Sequence, residues 1–144
     1  MIPLVLLCLS CSALATPLEP GISSNSTTCP ACVLAKASTA TQSVFPWLFN
    51  NNNARFMYAR TDDSGWPIYQ YFHNTKPMWL HFYDEGFFYD GFYVINDLEE
   101  GYEESEEPII YNSDSDDCPE DTGRNWYYWS NRWIYDESIY IQEC

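Results

Sequence analysis

Only two histidines occur in the chain, His73 and His81, and they flank the turn signal Asn74-Thr75-Lys76-Pro77. Strands pairing antiparallel about that turn would bring both imidazoles to one sheet face. Tyr71, Tyr83 and Asp84 are then the nearest further donors. A metal centre needs at least a third ligand, so two polar members of a half-exposed face is the preferred reading. Cys29-Pro30-Ala31-Cys32 has the spacing of redox-active thiols. Such thiols are activated by a following helix N-terminus on a βαβ scaffold, and no strand signal precedes this motif. A structural bridge is the preferred reading. A zinc site built from all four mature cysteines is disfavoured by their unequal spacing and by an oxidising compartment.

Catalysis has no recognisable address. There is no G-x-S-x-G, H-E-x-x-H, phosphate-binding loop or dinucleotide fingerprint. Neither histidine sits where it could serve a serine nucleophile. Carboxylates abound, but in loops rather than as a pair flanking a cleft. The expectation is a non-enzyme without a tight cofactor.

The carboxylates cluster in two runs, seven in 97–107 and five in 114–121. Oxygen ligands at such density can hold Ca²⁺. Glu99, Glu100, Glu103, Glu104, Asp114, Asp116 and Asp117 are the candidate ligands for weak, multi-ion binding. The stretch from Asn112 resembles the first half of an EF-hand loop. It departs at the sixth position, Asp117 in place of glycine, and at the twelfth, Gly123 in place of glutamate. The alternative is that these loops only keep an aromatic protein soluble. Ser105-Glu106-Glu107 matches a Ser-x-Glu phosphorylation pattern, and a phosphate there would deepen cation binding.

The ends and the charge bound the class. Met1–Ala15 is largely apolar and closes on Ala13-Leu14-Ala15, which reads as a secretory signal peptide. The run is short of the ~20 apolar residues that span a bilayer. The expected product is secreted and extracellular, with no membrane span. Net charge is −15, and the six Lys and Arg residues are scattered. Nucleic-acid binding needs clustered basic residues and is excluded on that ground. Cations, mineral surfaces, basic matrix proteins and neutral polysaccharides suit the charge. Asn25-Ser26-Thr27 is a candidate N-glycosylation sequon.

All 26 aromatic residues lie from Phe45 onward. That shift suggests a flexible Ser/Thr-rich tail over 16–43, too poor in apolar surface to offset ordering entropy, and one domain over 44–144. Cys29, Cys32, Cys118 and Cys144 survive signal removal. An even count in a small secreted chain reads as disulfides. Of three possible connectivities we favour Cys118–Cys144, with Cys29–Cys32 as a local bridge.

Turn signals at short, regular spacing and many β-branched and aromatic residues predict an all-β antiparallel fold. It would be a small sheet, sandwich or partly open barrel of consecutive hairpins. Strands are expected over 54–60, 66–73, 78–83, 92–96, 109–111, 125–129, 132–135 and 138–143, with no helix. Between the third and fourth, Glu85-Gly86 competes with Asp90-Gly91 as the turn. If Asp90-Gly91 wins, Phe87–Tyr89 pairs back on Phe92–Val94. The stretch Trp66–Asn96 organises the chain. Ile68, Phe72, Met78, Leu80, Phe82 and Val94 are expected on a core face. Tyr69, Tyr71, His73, Trp79, His81, Tyr83 and Tyr93 are expected on an opposite, ligand-binding face. Exposed Tyr and Trp on a rigid sheet suit sugar rings or a flat protein partner.

The series Gly65-Trp66-Pro67-Ile68-Tyr69, Pro77-Met78-Trp79-Leu80-His81-Phe82 and Gly91-Phe92-Tyr93-Val94-Ile95, followed by Cys118-Pro119, Trp126, Trp133, Asp136 and Cys144, resembles small β modules of secreted invertebrate extracellular proteins. The similarity covers 54–144 and departs at Ser64, where the module has Asn, and at Tyr93, where it has Trp. It implies fold and compartment only. The acidic, aromatic composition is similar to that of shell and skeletal matrix proteins. The combined expectation is a structural or binding protein of an extracellular matrix, a mineralised matrix being one such setting. The alternative is a lectin-like or toxin-like module with a defined ligand.

Overall fold

The computed structural model describes residues 28–49, 51–73, 76–84, 91–99 and 109–144. The expected signal peptide, the Asn25 sequon, the two competing turns at 85–90 and the carboxylates Glu100, Glu103 and Glu104 lie outside them, Gly91 excepted. Nine antiparallel strands form one sheet: β1 (Cys32–Lys36), β2 (Asn53–Thr61), β3 (Pro67–His73), β4 (Lys76–Tyr83), β5 (Phe92–Asn96), β6 (Ile110–Asn112), β7 (Trp126–Trp129), β8 (Trp133–Tyr135) and β9 (Tyr140–Glu143). The order is β8-β7-β6-β5-β4-β3-β2-β1-β9. Eight strands meander, and the ninth crosses to the far edge.

That crossing dictates the shape. Only residues 136–139 separate β8 from β9. Such a link reaches at most ~17 Å when fully extended. The edges of a flat nine-stranded sheet would stand ~38 Å apart. The sheet therefore curls until its edges approach, as a half-barrel. Asp136 fastens the gap. Its Oδ2 accepts from Ser38 Oγ and Thr41 Oγ1, both at 2.5 Å, and its Oδ1 accepts from Ser138 N at 2.9 Å and Ser138 Oγ at 2.6 Å. Asp136 N donates to Trp126 O, so one residue binds the β7–β8 end to the segment leaving β1. Burial pushes the Asp136 carboxyl up, but the hydrogen bonds from Ser138, Ser38 and Thr41 outweigh it and hold the group below its ordinary value.

The expected boundary at residue 44 falls too late. Residues 32–44 supply β1, which sits between β2 and β9, and a one-turn helix, α1 (Thr39–Val44). Ser38 caps α1 by accepting from Thr41 N. β1 carries no aromatic residue, but Val33 and Ala35 are fully buried. Their small side chains allow close packing where large rings crowd in from neighbouring strands. After α1, Phe45, Leu48 and Phe49 plug one end of the concave side, where Phe45 meets Tyr128 edge-on. Asn51 and Asn52, both at positive φ, then turn the chain into β2.

At the other end of β1 the disulfides join Cys29 to Cys118 and Cys32 to Cys144. The favoured pairing is thereby corrected. β9 runs antiparallel to β1, so Cys144 arrives beside Cys32, and Cys144 N donates to Cys32 O. Cys29 is left for the 113–125 loop, which crosses the mouth of the half-barrel. The closed segments span 89 and 112 residues. Taken singly, each cross-link contributes about 4.6 kcal/mol on the chain-entropy model. Two disulfides fit an oxidising compartment.

The hairpin register corrects the expected faces. Tyr69 pairs with Leu80, and Tyr71 with Met78. Leu80 pairs with Ile95, and Phe82 with Tyr93. β3 ends at His73 and β4 opens at Lys76, so odd positions of β3 share a face with even positions of β4. A two-residue or a four-residue connection alike sets odd positions of β3 against even positions of β4, and the link that pairs Tyr83 with Phe92 shifts the phase again, so Met78, Leu80 and Phe82 are on the core side as expected while Ile68 and Val94 are not. Both edges of β5 are taken, by β4 and β6. Gly91 is required at the entry to β5, because a Cβ there would collide with the Tyr83 carbonyl and the Phe82 ring.

Candidate functional site

The residues expected to form one ligand face are divided between two. Tyr69 and Tyr93 are fully buried on the concave side. Tyr69 Oη donates to Pro30 O and Tyr93 Oη to Asp117 O, each at 2.9 Å. Burial, reinforced by neighbouring phenols and by the Glu120 charge, pushes both phenols far above the ordinary tyrosine range. They are core residues that hold the mouth segments in place. Tyr71 is on the same side, half-buried against Phe56.

Trp79, His81 and Tyr83 lie on the convex side. His81 is buried, with Nε2 3.2 Å from Asn96 Oδ1 and Nδ1 3.4 Å from Phe82 O. Position 73 is in phase with Tyr69 and Tyr71, so the register places the two histidine positions on opposite faces. Val94 and Ile68, expected in the core, are buried on this convex face as well. Leu98 N turns back to Asn96 Oδ1, and Glu99 reaches Arg60 of β2 at 2.9 Å. A segment running from β5 to β2 must cross β4 and β3.

The described acidic candidates, Glu99, Asp114, Asp116 and Asp117, do not converge. Glu99 is in that ion pair. Asp114 braces its own loop, accepting from Gly123 N and Asn125 Nδ2. Asp116 and Asp117 are exposed. Among the described residues, the one group of three metal-ligating side chains within reach is Cys118, Glu120 and Asp121. Cys118 is disulfide-bonded, so two carboxylates remain, short of a calcium ligand set. Burial raises the Glu120 carboxyl above its ordinary value, and its Oε2 is buried without a hydrogen bond.

Exposed aromatic surface gathers in two other places. The first is a ladder on the convex face of β4–β8. Tyr83 meets Phe92, Phe92 meets Tyr111, Tyr111 stacks on Tyr127 at 5.0 Å, and Tyr127 meets Tyr135 at 5.4 Å. Trp133 stands edge-on to Tyr111 at 4.7 Å and touches Trp129 at 5.2 Å. One ring per strand across five strands makes a row ~19 Å long. Its β7–β8 end is the open one, where Tyr135 is 50% exposed. Cross-strand pairing explains it, since Val94, Tyr111, Tyr127 and Tyr135 are direct partners in turn.

The second place is a cleft of about 740 Å³ at the mouth of the half-barrel, beside the Cys29–Cys118 disulfide. Trp66, Tyr58, Pro67, Ser64 and Asp117 line it. The Trp66 ring stacks on Phe82 at 3.9 Å, which fixes its remaining surface toward the opening. Asp62 Oδ1 accepts from Ser64 N and Trp66 N, and Gly65 takes a φ of +93° to complete the turn. Tyr58 stands edge-on to Tyr69 and is 42% exposed.

Neither place was singled out from sequence. The available signal was parity. Any connection of even length between β3 and β4 sets odd positions of one against even positions of the other, so Tyr69 and Tyr71 belong with Met78, Leu80 and Phe82. No family model matches the chain, no curated protein matches it, and no solved structure matches it.

Proposed function

We propose that the chain is a secreted, non-enzymatic binding module of an extracellular matrix, and that it holds polysaccharide by the β7–β8 end of the convex ladder. The observation that carries this reading is the contact of the Tyr127–Tyr135 and Trp129–Trp133 pairs, joined through Tyr111, outside the core and on short strands that end the sheet. Rings held rigid by one another offer apolar area at little cost in side-chain entropy. The acidic charge suits a neutral or cationic partner and disfavours an anionic one. Secretion is supported by the apolar N-terminal run and the two disulfides. Calcium enters only as a weak counter-ion of the acidic loops, an idea that equilibrium dialysis without uptake would remove.

The test is retention on insoluble polysaccharide. The oxidised protein is passed over chitin and cellulose beside a Trp129→Ala/Tyr135→Ala variant. At least a tenfold loss of retention is expected, with the fold intact by circular dichroism. Equal retention of both proteins would sink the ladder as the binding face. A defined small ligand is the second reading, and the cleft beside Trp66 favours it.

A further inference from the structure

We propose that the mouth cleft is a binding site for an amino sugar, a pyranose carrying a protonated amine. The proposal is independent of the ladder and shares with it only the extracellular setting.

The cleft has the size and make-up of a small-molecule site. Its volume of about 740 Å³ falls within the range of natural ligand pockets. Its walls are fixed from several sides. Trp66 is pinned by Phe82 behind it and by Asp62 at its backbone N–H. The opposite wall includes Cys29, tied by its disulfide to the loop that carries Asp117. That loop is held again where Asp117 O accepts from Tyr93 Oη. Little ordering remains to be done when a ligand enters, which favours affinity.

The lining selects the ligand class. Trp66 and Tyr58 supply ring surface, and the apolar face of a pyranose packs on such rings. Ser64, Thr61 and Thr28 supply hydroxyls, which donate to and accept from sugar hydroxyls. Asp117 supplies negative charge, with exposed Asp116 beside it. No Lys or Arg is among the described residues that line the cleft. A net charge of −15 adds a long-range field of the same sign. Anionic sugars are thereby rejected. A protonated amine gains twice, from the carboxylate and from the ring quadrupoles. A bare ammonium compound would use the charge and the rings but leave the hydroxyls unpaired, and an acetylated sugar would use the hydroxyls without the charge.

The experiment is calorimetric titration of the oxidised chain with glucosamine, N-acetylglucosamine and choline. Glucosamine is expected to bind at least tenfold tighter than either of the others. Tyr58→Ala and Asp117→Asn should each weaken glucosamine about tenfold. Both side chains are exposed, so these variants keep the fold where Trp66→Ala, which unstacks Phe82, could lose it. Trp129→Ala/Tyr135→Ala should bind glucosamine as the parent does, which separates this site from the ladder. Equal affinity for N-acetylglucosamine or choline, unchanged binding by both cleft variants, or no heat with millimolar glucosamine would each overturn the assignment.

Discussion

The same strands carry two aromatic surfaces that differ in almost everything but composition. On the concave side Phe56, Tyr69, Tyr93 and Trp126 are fully buried, and the tyrosine hydroxyls donate to main-chain carbonyls of the mouth segments. On the convex side Tyr111, Tyr127, Trp129 and Trp133 touch mainly along a row and keep part of their surface in water. Tyr127 and Tyr128 are neighbours in sequence and belong to different sides. Aromatic content alone therefore identifies neither core nor binding face. What decides is the phase of each strand, and that is set by the parity of the connection before it. The comparison also shows how a domain of this size accommodates so many large rings. One set fills the half-barrel, and the other pairs across strands on its outer wall.

The sharpest way to break the comparison is to truncate one tryptophan from each side. Trp126→Ala empties a fully buried site and should cost about 4 kcal/mol in urea unfolding of the oxidised protein. Trp129→Ala removes one edge-on contact with Trp133 and some partly exposed area, and should cost about 1 kcal/mol. Similar losses for the two would mean that the convex ladder is a second core and not a surface.

A smaller effect is expected at the seam that keeps the two sides distinct. Asp136→Asn leaves one oxygen where two accepted four donors, and should cost about 2 kcal/mol near neutral pH. Its pH dependence has a definite sign. The folded-state value lies below the ordinary 3.8, so the carboxylate's contribution is fully present above that value and is lost as pH falls through the depressed one. The parent protein should lose stability in that acid window more steeply than Asp136→Asn. Parallel acid unfolding curves would remove Asp136 as the clasp.

Much of this fold is legible in the sequence. Eight strands follow from alternation and turn residues, and seven of them, β2 to β8, pair with chain neighbours, so local signals suffice. β1 does not follow, because Cys-Val-Leu-Ala-Lys has no aromatic residue and gains its place from partners far along the chain, Phe56 on one side and Glu143 on the other. The disulfide pairing was hidden for the same reason. Cys144 reaches Cys32 only because β9 returns to β1. The site is less legible than the fold. Tyr69 and Tyr93 alternate correctly within their strands, but the register that decides which side they face is set by the connections on the two sides of β4, 73–76 for Tyr69 and 83–92 for Tyr93. The cleft joins Tyr58, Trp66 and Asp117, which only the curled sheet and the Cys29–Cys118 bridge bring together.

The smallest effect has the opposite sign and tests whether the mouth is polar by design. Glu120 lies in the loop that crosses the concave side, where its charge adds to the raised values of Tyr69 and Tyr93. Burial, together with Asp121 and Glu143, raises its own carboxyl, while a backbone hydrogen bond lowers it. In the window between the unfolded and folded values the native state holds more protons, so stability falls as pH rises through it. Above that window the charged form is carried at a cost. Glu120→Gln keeps the shape and removes the charge. It should raise stability near neutral pH by less than about 1 kcal/mol, the gain being screened because the group is partly exposed. It should also flatten the decline above the ordinary carboxylate value, read as melting temperature against pH. A loss of stability would mean that the Glu120 charge is held by a favourable partner at the mouth, and the cleft's negative field would then be weaker than its residues suggest.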